Sequence, residues 1–274
     1  MLLTVLGTAT PYPQPGNACS GYLVQSGGPL SGDRQSGGPL SGGADAQPRA
    51  TIWVDAGTGT LAELQRHTRL ADLDAIWISH RHADHTADLL VAYYALRFSE
   101  LAPKRPVRLI GPEGLLDRLA AFLGPNAAAL LPEVFDFTPM SGWGETEVGP
   151  LALAWGPVQH GVPAFGLTVA ENGRRLAYSG DSAPCISLEE LAEDADLLLI
   201  EAGYAEAPAG SETAEAPAHH TPEDAGRTAS QARAARLVLT HIANEVTPAV
   251  AVRRASAHFD GPLEAAAPGS VYEI

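Results

Sequence analysis

The chain has 274 residues, 45% apolar and 18% charged, a folded globular composition with enough length to bury a sizeable core. Seventeen Lys and Arg stand against 32 Asp and Glu, a formal charge of −15 at pH 7. That balance repels phosphate backbones at long range, so a protein built mainly to grip long nucleic acid is disfavoured. Two cysteines, Cys19 and Cys185, cannot make a disulfide framework and read as small buried residues. No segment approaches the roughly 18 apolar residues of a membrane span, and the short apolar run at 1–7 has no basic region. The expectation is a soluble cytoplasmic protein with no membrane partner.

The run 2–6, stopped by Gly7, predicts a first strand, and 8–17 a Pro-rich loop. Residues 21–25 and 51–54 predict further strands. Between them QSGGPLSG at 25–32 recurs at 35–42. Two Gly/Ser/Pro-rich copies with little to bury do not make a solenoid, so residues 25–43 predict a flexible insertion. A helix is expected at 60–67, a buried strand at 75–79, a helix at 87–98, a strand at 107–110 and a helix at 114–123. The second half reads as strands at 151–155, 166–170 and 175–179, a helix at 188–193 and a buried strand at 197–201. A Pro/Ala/Glu loop follows at 205–218. Thr221-Pro222-Glu223-Asp224 opens a helix to 234, with a capping Thr, Pro at the first helical position and acids in the first turn. A strand at 237–240, a helix at 248–258 and a strand at 270–274 end the chain. No linker is long or polar enough to divide it. The order predicts one domain, 1–274, of two sheets packed face to face with helices outside.

The chemistry concentrates in Ser79-His80-Arg81-His82-Ala83-Asp84-His85, directly after a buried strand. Imidazole and carboxylate donors without thiolate suit Zn, Mn or Fe. His80 and His82, two positions apart, can converge on one ion, and the Asp84-His85 pair can reach a second. One loop cannot complete two coordination spheres. His160, Asp181 and His241 each follow a predicted strand. Any one of them alone is weak, since a lone His at a strand end is more often structural. Their joint placement supplies the missing donors.

The order His80-x-His82-x-Asp84-His85, His160, Asp181, His241 resembles the metallo-β-lactamase-fold hydrolases over nearly the whole chain outside the repeat. The resemblance implies an α/β fold, a four-layer αββα sandwich with a dinuclear site at one edge. It places His80, His82 and His160 on one ion, Asp84, His85 and His241 on the other, and Asp181 between them. Asp84 would also orient the nucleophile. Asp55, in Val54-Asp55-Ala56-Gly57, matches the family's D-x-G turn beside the ligands, and reads equally as a plain turn-forming Asp. His219-His220-Thr221 resembles the H-x-T element of ribonuclease Z and its phosphodiesterase relatives. There His219 would act at the scissile phosphate, with Thr221 behind it. A shift of one residue gives the role to His220, and the pair also reads as a polar approach to a helix. His82 stands where flavodiiron relatives carry Glu, which disfavours oxygen or nitric oxide reduction.

One departure narrows the substrate. Ribonuclease Z proteins carry a basic arm that grips tRNA, whereas the stretch between Asp181 and His219 has no Lys or Arg and nine acids. The implied function is a hydrolase with two divalent metal ions, zinc before manganese or iron, acting on a small or cyclic phosphodiester. The alternatives are a carboxyl-type hydrolase of a lactone, thioester or β-lactam, and a non-catalytic metal-binding scaffold. The expected partners are a small-molecule substrate and, with the net acidity and the 25–42 extension suiting a dimer edge, a second copy in a homodimer. Substrate-lining residues are expected from 8–17, 93–97 and 201–218.

Overall fold

The computed structural model describes residues 1–27, 50–98, 103–124, 126–207 and 218–274. The first half builds β1 (Leu2–Ala9), β2 (Ala18–Cys19), β3 (Gly21–Gln25), β4 (Thr51–Val54), β5 (Ala75–Trp77), β6 (Val107–Pro112) and β7 (Phe135–Met140). The second builds β8 (Gly144–Val148), β9 (Leu151–Pro157), β10 (Phe165–Glu171), β11 (Arg174–Tyr178), β12 (Leu197–Ala202), β13 (Leu237–Ile242) and β14 (Leu263–Ala265). Strand β15 (Val271–Glu273) returns to the first sheet beside β1. The first sheet runs β15-β1-β3-β4-β5-β6-β7, with β2 beside β1, and the second runs β14-β13-β12-β11-β10-β9-β8.

Alternation along the strands assigns the layers. Leu197 and Leu199 face the core between the sheets, while Leu198 and Ile200 face the helices outside. In the first sheet Ile52 and Val54 point inward and Trp53 outward. The outward face of the first sheet is covered by α1 (Thr60–Leu64), α3 (Asp88–Phe98) and α4 (Leu115–Leu123), mainly through leucines. Between them come α2 (Ala83–Thr86) and, after α4, α5 (Ala127–Leu130). The second sheet is covered by α6 (Ile186–Ala192), α7 (Pro222–Gln231) and α8 (Pro248–Ala255), largely through alanines. Each fully buried Leu contributes about 1.5–3 kcal/mol, so these three clusters supply the driving force. The result is the four-layer αββα arrangement expected from the sequence.

Strands β4 to β7 run parallel, as do β11 to β14. Their C-terminal ends meet along one edge, and there the loops after β4, β5, β9 and β11 and the ends of β12 and β13 deliver the chemistry-bearing residues. The repeat leaves β3 at Gln25, opposite Thr51 at the start of β4, whereas Asp55 follows the far end of β4. Residues 28–43 of the insertion lie outside the described residues. Strands β7 and β8 escape the sequence reading because each is the edge of its sheet, half exposed, and β7 carries Pro139. Cys19 is buried, and Cys185 is half-buried rather than buried. Among the described residues no helix is long and apolar enough to cross a membrane.

Candidate metal centre

Strand β5 ends one residue before Ile78, and the chain then turns through Ser79 and His80 into α2. His82 occupies the N-cap of α2 with extended backbone, which leaves Asp84 and His85 in the first turn. This short helix can sit so close to the sheet because residue 57 is glycine. A Cβ there would lie 2.0 Å from the Asp84 carbonyl oxygen and 2.7 Å from that of Ser20.

The six donor residues beside Asp181 gather in two groups around it. His80, His82 and His160 form one group with Asp181, and Asp84, His85 and His241 form the other. His82 Nδ1 lies 3.0 Å from His80 Nε2 and 3.1 Å from His160 Nε2. His85 Nε2 is 3.2 Å from Asp181 Oδ1, and His241 Nε2 is 3.4 Å from Asp181 Oδ2. Asp84 Oδ2 stands 3.9 Å from both His85 Nε2 and His241 Nε2. Donors about 2.1 Å from a shared tetrahedral centre lie about 3.4 Å from each other, the middle of this range. The buried His85 Nε2 and Asp181 Oδ1 have no hydrogen-bond partner. Buried polar atoms are rarely left so, and two facing one point fit an ion there.

The outer nitrogens of His80, His85, His160 and His241 are engaged where the inner ones converge. His80 Nδ1 contacts Ser79 Oγ at 3.0 Å, His160 Nδ1 donates to the Ala218 carbonyl at 2.8 Å, and His241 Nδ1 contacts Ser20 Oγ at 2.8 Å. His85 Nδ1 donates to Asp55 Oδ2 at 2.7 Å. Asp55 is fully buried with a left-handed backbone, and it also accepts from the Ser79 amide, Ser79 Oγ and the Tyr178 hydroxyl. Such outer bonds fix the tautomer that turns the lone pair inward. Asp55 is therefore a buried anchor of the ligand loop as well as a turn residue.

Four of the five donor histidines are held neutral, whereas His85 is held charged by Asp181 and Asp55, so a cation there would take the place of its proton. Burial, then the charge of His85, holds His80 well below the usual imidazole range, and burial pushes His241 down to about 3. Burial likewise lowers His82 and His160. These imidazoles are neutral donors. Burial works against the Asp181 charge, but His241, His85 and His80 hold it well below the usual carboxylate range. Burial also works against the His85 charge, which Asp181 and Asp55 overcome, raising it well above its usual value.

The His-His-Thr element resolves at one residue. His219 faces the centre, its ring centroid 5.0 Å from that of His160 and 6.0 Å from that of His241. His220 is fully buried, with Nδ1 on the Ser182 carbonyl and Nε2 3.0 Å from Thr228 Oγ1, so neither nitrogen reaches the site. Thr221 does not stand behind His219. Its hydroxyl is engaged with Asp224 in the capping box of α7, because the helix needs its first amides satisfied.

Glu201, the last-but-one residue of β12, is the partner the sequence reading missed. It is fully buried, and its Oε1 accepts from His219 Nδ1 at 2.8 Å and from the Ser182 amide at 2.9 Å. Burial lifts Glu201 to about 7. Burial works against the His219 charge, yet the hydrogen bond and charge of Glu201 raise it to about 9. The signal was present: a lone carboxylate in the buried run Leu-Leu-Leu-Ile-Glu-Ala needs a partner. Of the expected lining segments, 201–218 reaches the site through Glu201, Tyr204 against the His219 ring, and Ala218. Tyr93 and Tyr94 instead line a separate groove with Phe98, Leu123 and Leu130.

The sequence matches the family described as the Beta-lactamase superfamily domain over residues 50–242. The chain belongs to the β-lactamase superfamily. An uncharacterised protein of Mycobacterium leprae is 31% identical over 276 residues, covering 99% of this chain and 88% of the relative. Ribonuclease Z of Myxococcus xanthus is 27% identical over 271 residues, 80% of this chain and 87% of that protein. The crystal structure of the metallo-β-lactamase fold protein YhfI from Bacillus subtilis superposes with a TM-score of 0.79 at 23% identity, covering 100% of this chain and 98% of the other.

Proposed function

We propose that this member of the superfamily is a dinuclear metal-dependent phosphodiesterase, with zinc as its ion and a small or cyclic phosphodiester as its substrate. The observation that carries the reading is His219, backed by buried Glu201, at the edge of two donor groups that share Asp181. His80, His82 and His160 would hold one ion, Asp84, His85 and His241 the other, with Asp181 common to both. Two divalent cations there would bring the pKa of a shared water towards neutrality and offset the charge growing on phosphoryl oxygens.

The rest of the work falls to the chain. Asp84 orients the attacking water from the floor of the site. His219, with Nδ1 on Glu201, turns Nε2 towards the departing oxygen and delivers its proton there. Similarity to ribonuclease Z supports phosphorus over carbon as the electrophile. The stretch between Asp181 and His219, without Lys or Arg, supports a short substrate over a long polyanion.

The test is a panel on the metal-loaded protein: a cyclic nucleotide, bis(p-nitrophenyl) phosphate, a lactone and a thioester. Phosphodiester turnover is the expected result. Turnover confined to the lactone or thioester replaces the reading with a carboxyl-type hydrolase, and ion binding with no turnover replaces it with a scaffold.

A further inference from the structure

Two tyrosines cross between the sheets directly beneath the centre. Tyr22 lies on β3 in the first sheet, fully buried, and its hydroxyl is 2.7 Å from Thr240 Oγ1 on β13 in the second. Thr240 is the residue before His241. Tyr178 ends β11 in the second sheet, and its hydroxyl donates at 2.7 Å to Asp55 Oδ2, which follows β4 in the first. Asp55 Oδ2 is the oxygen that receives His85 Nδ1. The two rings meet edge to face, with centroids 5.0 Å apart and planes at 62°.

One receiving residue, Asp55, has a left-handed backbone, and the other, Thr240, directly precedes one that does. Asp55 has φ 55° and His241 has φ 48°. Side-chain-bearing residues rarely adopt that conformation, and they keep it only where their surroundings hold it. The two ligands served, His85 and His241, belong to the same donor group. His80 and His160 instead lean on the neighbouring Ser79 hydroxyl and the Ala218 carbonyl. A phenylalanine at 22 or 178 would fill the same space and keep the ring contact. Only the hydroxyls reach across.

We propose that Tyr22 and Tyr178 are positioning residues for an ion in the buried donor group, a reciprocal brace in which each sheet's tyrosine fixes a ligand-bearing segment of the other. The inference rests on the two-ion reading above and adds residues to it. Tyr178 acts through Asp55 on His85, and Tyr22 acts through Thr240 on His241. Together they hold two ligands in register before any ion arrives.

The test is stepwise Zn²⁺ affinity of the whole protein, by competition with a chromogenic chelator, alongside the melting temperature of the metal-free form. The variants are Tyr178→Phe, Tyr22→Phe and, as control, Tyr272→Phe, whose hydroxyl is buried in the same core without a hydrogen-bond partner. Two binding steps are expected for the unchanged protein. Each brace variant should weaken one step about 10- to 100-fold and leave the other within about twofold, the scale of outer partners of metal ligands. The control should leave both steps alone. Brace variants that lower the melting temperature but match both steps are merely structural, which overturns the brace and leaves the two-ion centre standing. A protein that takes up no Zn²⁺ overturns both. If Tyr178→Phe does not fold, Tyr22→Phe carries the same expectation and the same refutation.

Discussion

His82 and His160 stand half exposed on one side of Asp181, whereas Asp84, His85 and His241 are buried on the other. The buried group is anchored by Asp55 and Ser20 and lies above the two crossing tyrosines. The open group depends on Ser79 and on the carbonyl of Ala218. The difference teaches a division of labour. The floor is fixed by the fold, and under the proposed function the open side, beside His219, is where substrate would enter.

The largest expected effect comes from the residue the two groups share. Asp181→Ala should release both ions and abolish phosphodiester turnover, whereas His82→Ala should release only the ion on the open side. Elemental analysis of both variants checks this, and an Asp181→Ala protein that keeps a full complement breaks the shared-ligand picture. Next comes His219, the proposed proton donor. His219→Ala should keep both ions and lose about 10²-fold or more in kcat, the general-acid scale. Glu201→Gln should lose less, since it removes the charge behind His219 and leaves the imidazole and an acceptor for it. Loss of an ion in either variant would move His219 among the ligands.

A pair of glycines sharpens the contrast in stability. Gly57→Ala drives a Cβ into the backbone carbonyls of Asp84 and Ser20, and should cost about 1–3 kcal/mol by denaturant unfolding, the usual scale of overpacking. Gly161→Ala, beside His160 with nothing within 4 Å of its Cβ, should stay within about 0.5 kcal/mol. Equal effects at the two positions would mean that floor and rim are equally rigid.

The smallest effect lies far from both groups. Burial works against the charge of Asp196, but hydrogen bonds from the Arg175 amide and Arg174 hold its carboxyl below the usual range. A lowered carboxyl stabilises the fold above its unfolded value of about 3.9, and that share is lost as pH falls through the lower folded value. Arg174→Gln should therefore cost at most about 1 kcal/mol at pH 7, as exposed pairs do, and less at pH 3. Melting curves at the two values check the sign.

The sequence was most legible where the chemistry is local. Three histidines and an aspartate in one short loop announce donors before any fold is known, and Thr221-Pro222-Glu223-Asp224 announces a capped helix that is present. The alternation of Leu197 to Ile200 places a strand between two apolar layers. Legibility ended where partners come from distant strands. Ser20 reaches His241 across 221 positions, Tyr22 reaches Thr240 across 218, and Tyr178 reaches Asp55 across 123. No local pattern encodes those pairings. The choice between His219 and His220 likewise waited for tertiary contacts, since only the positions of Glu201 and Thr228 separate them. Edge strands β7 and β8 lacked a continuous apolar face, so their patterns read as loop.

The central claim is that one set of seven side chains holds two ions with Asp181 between them. Anomalous diffraction from crystals grown with Zn²⁺ tests it most directly. Two strong peaks are expected, one enclosed by His80, His82 and His160 and one by Asp84, His85 and His241, each also touching Asp181. A single peak, or ions seated away from these residues, would contradict it.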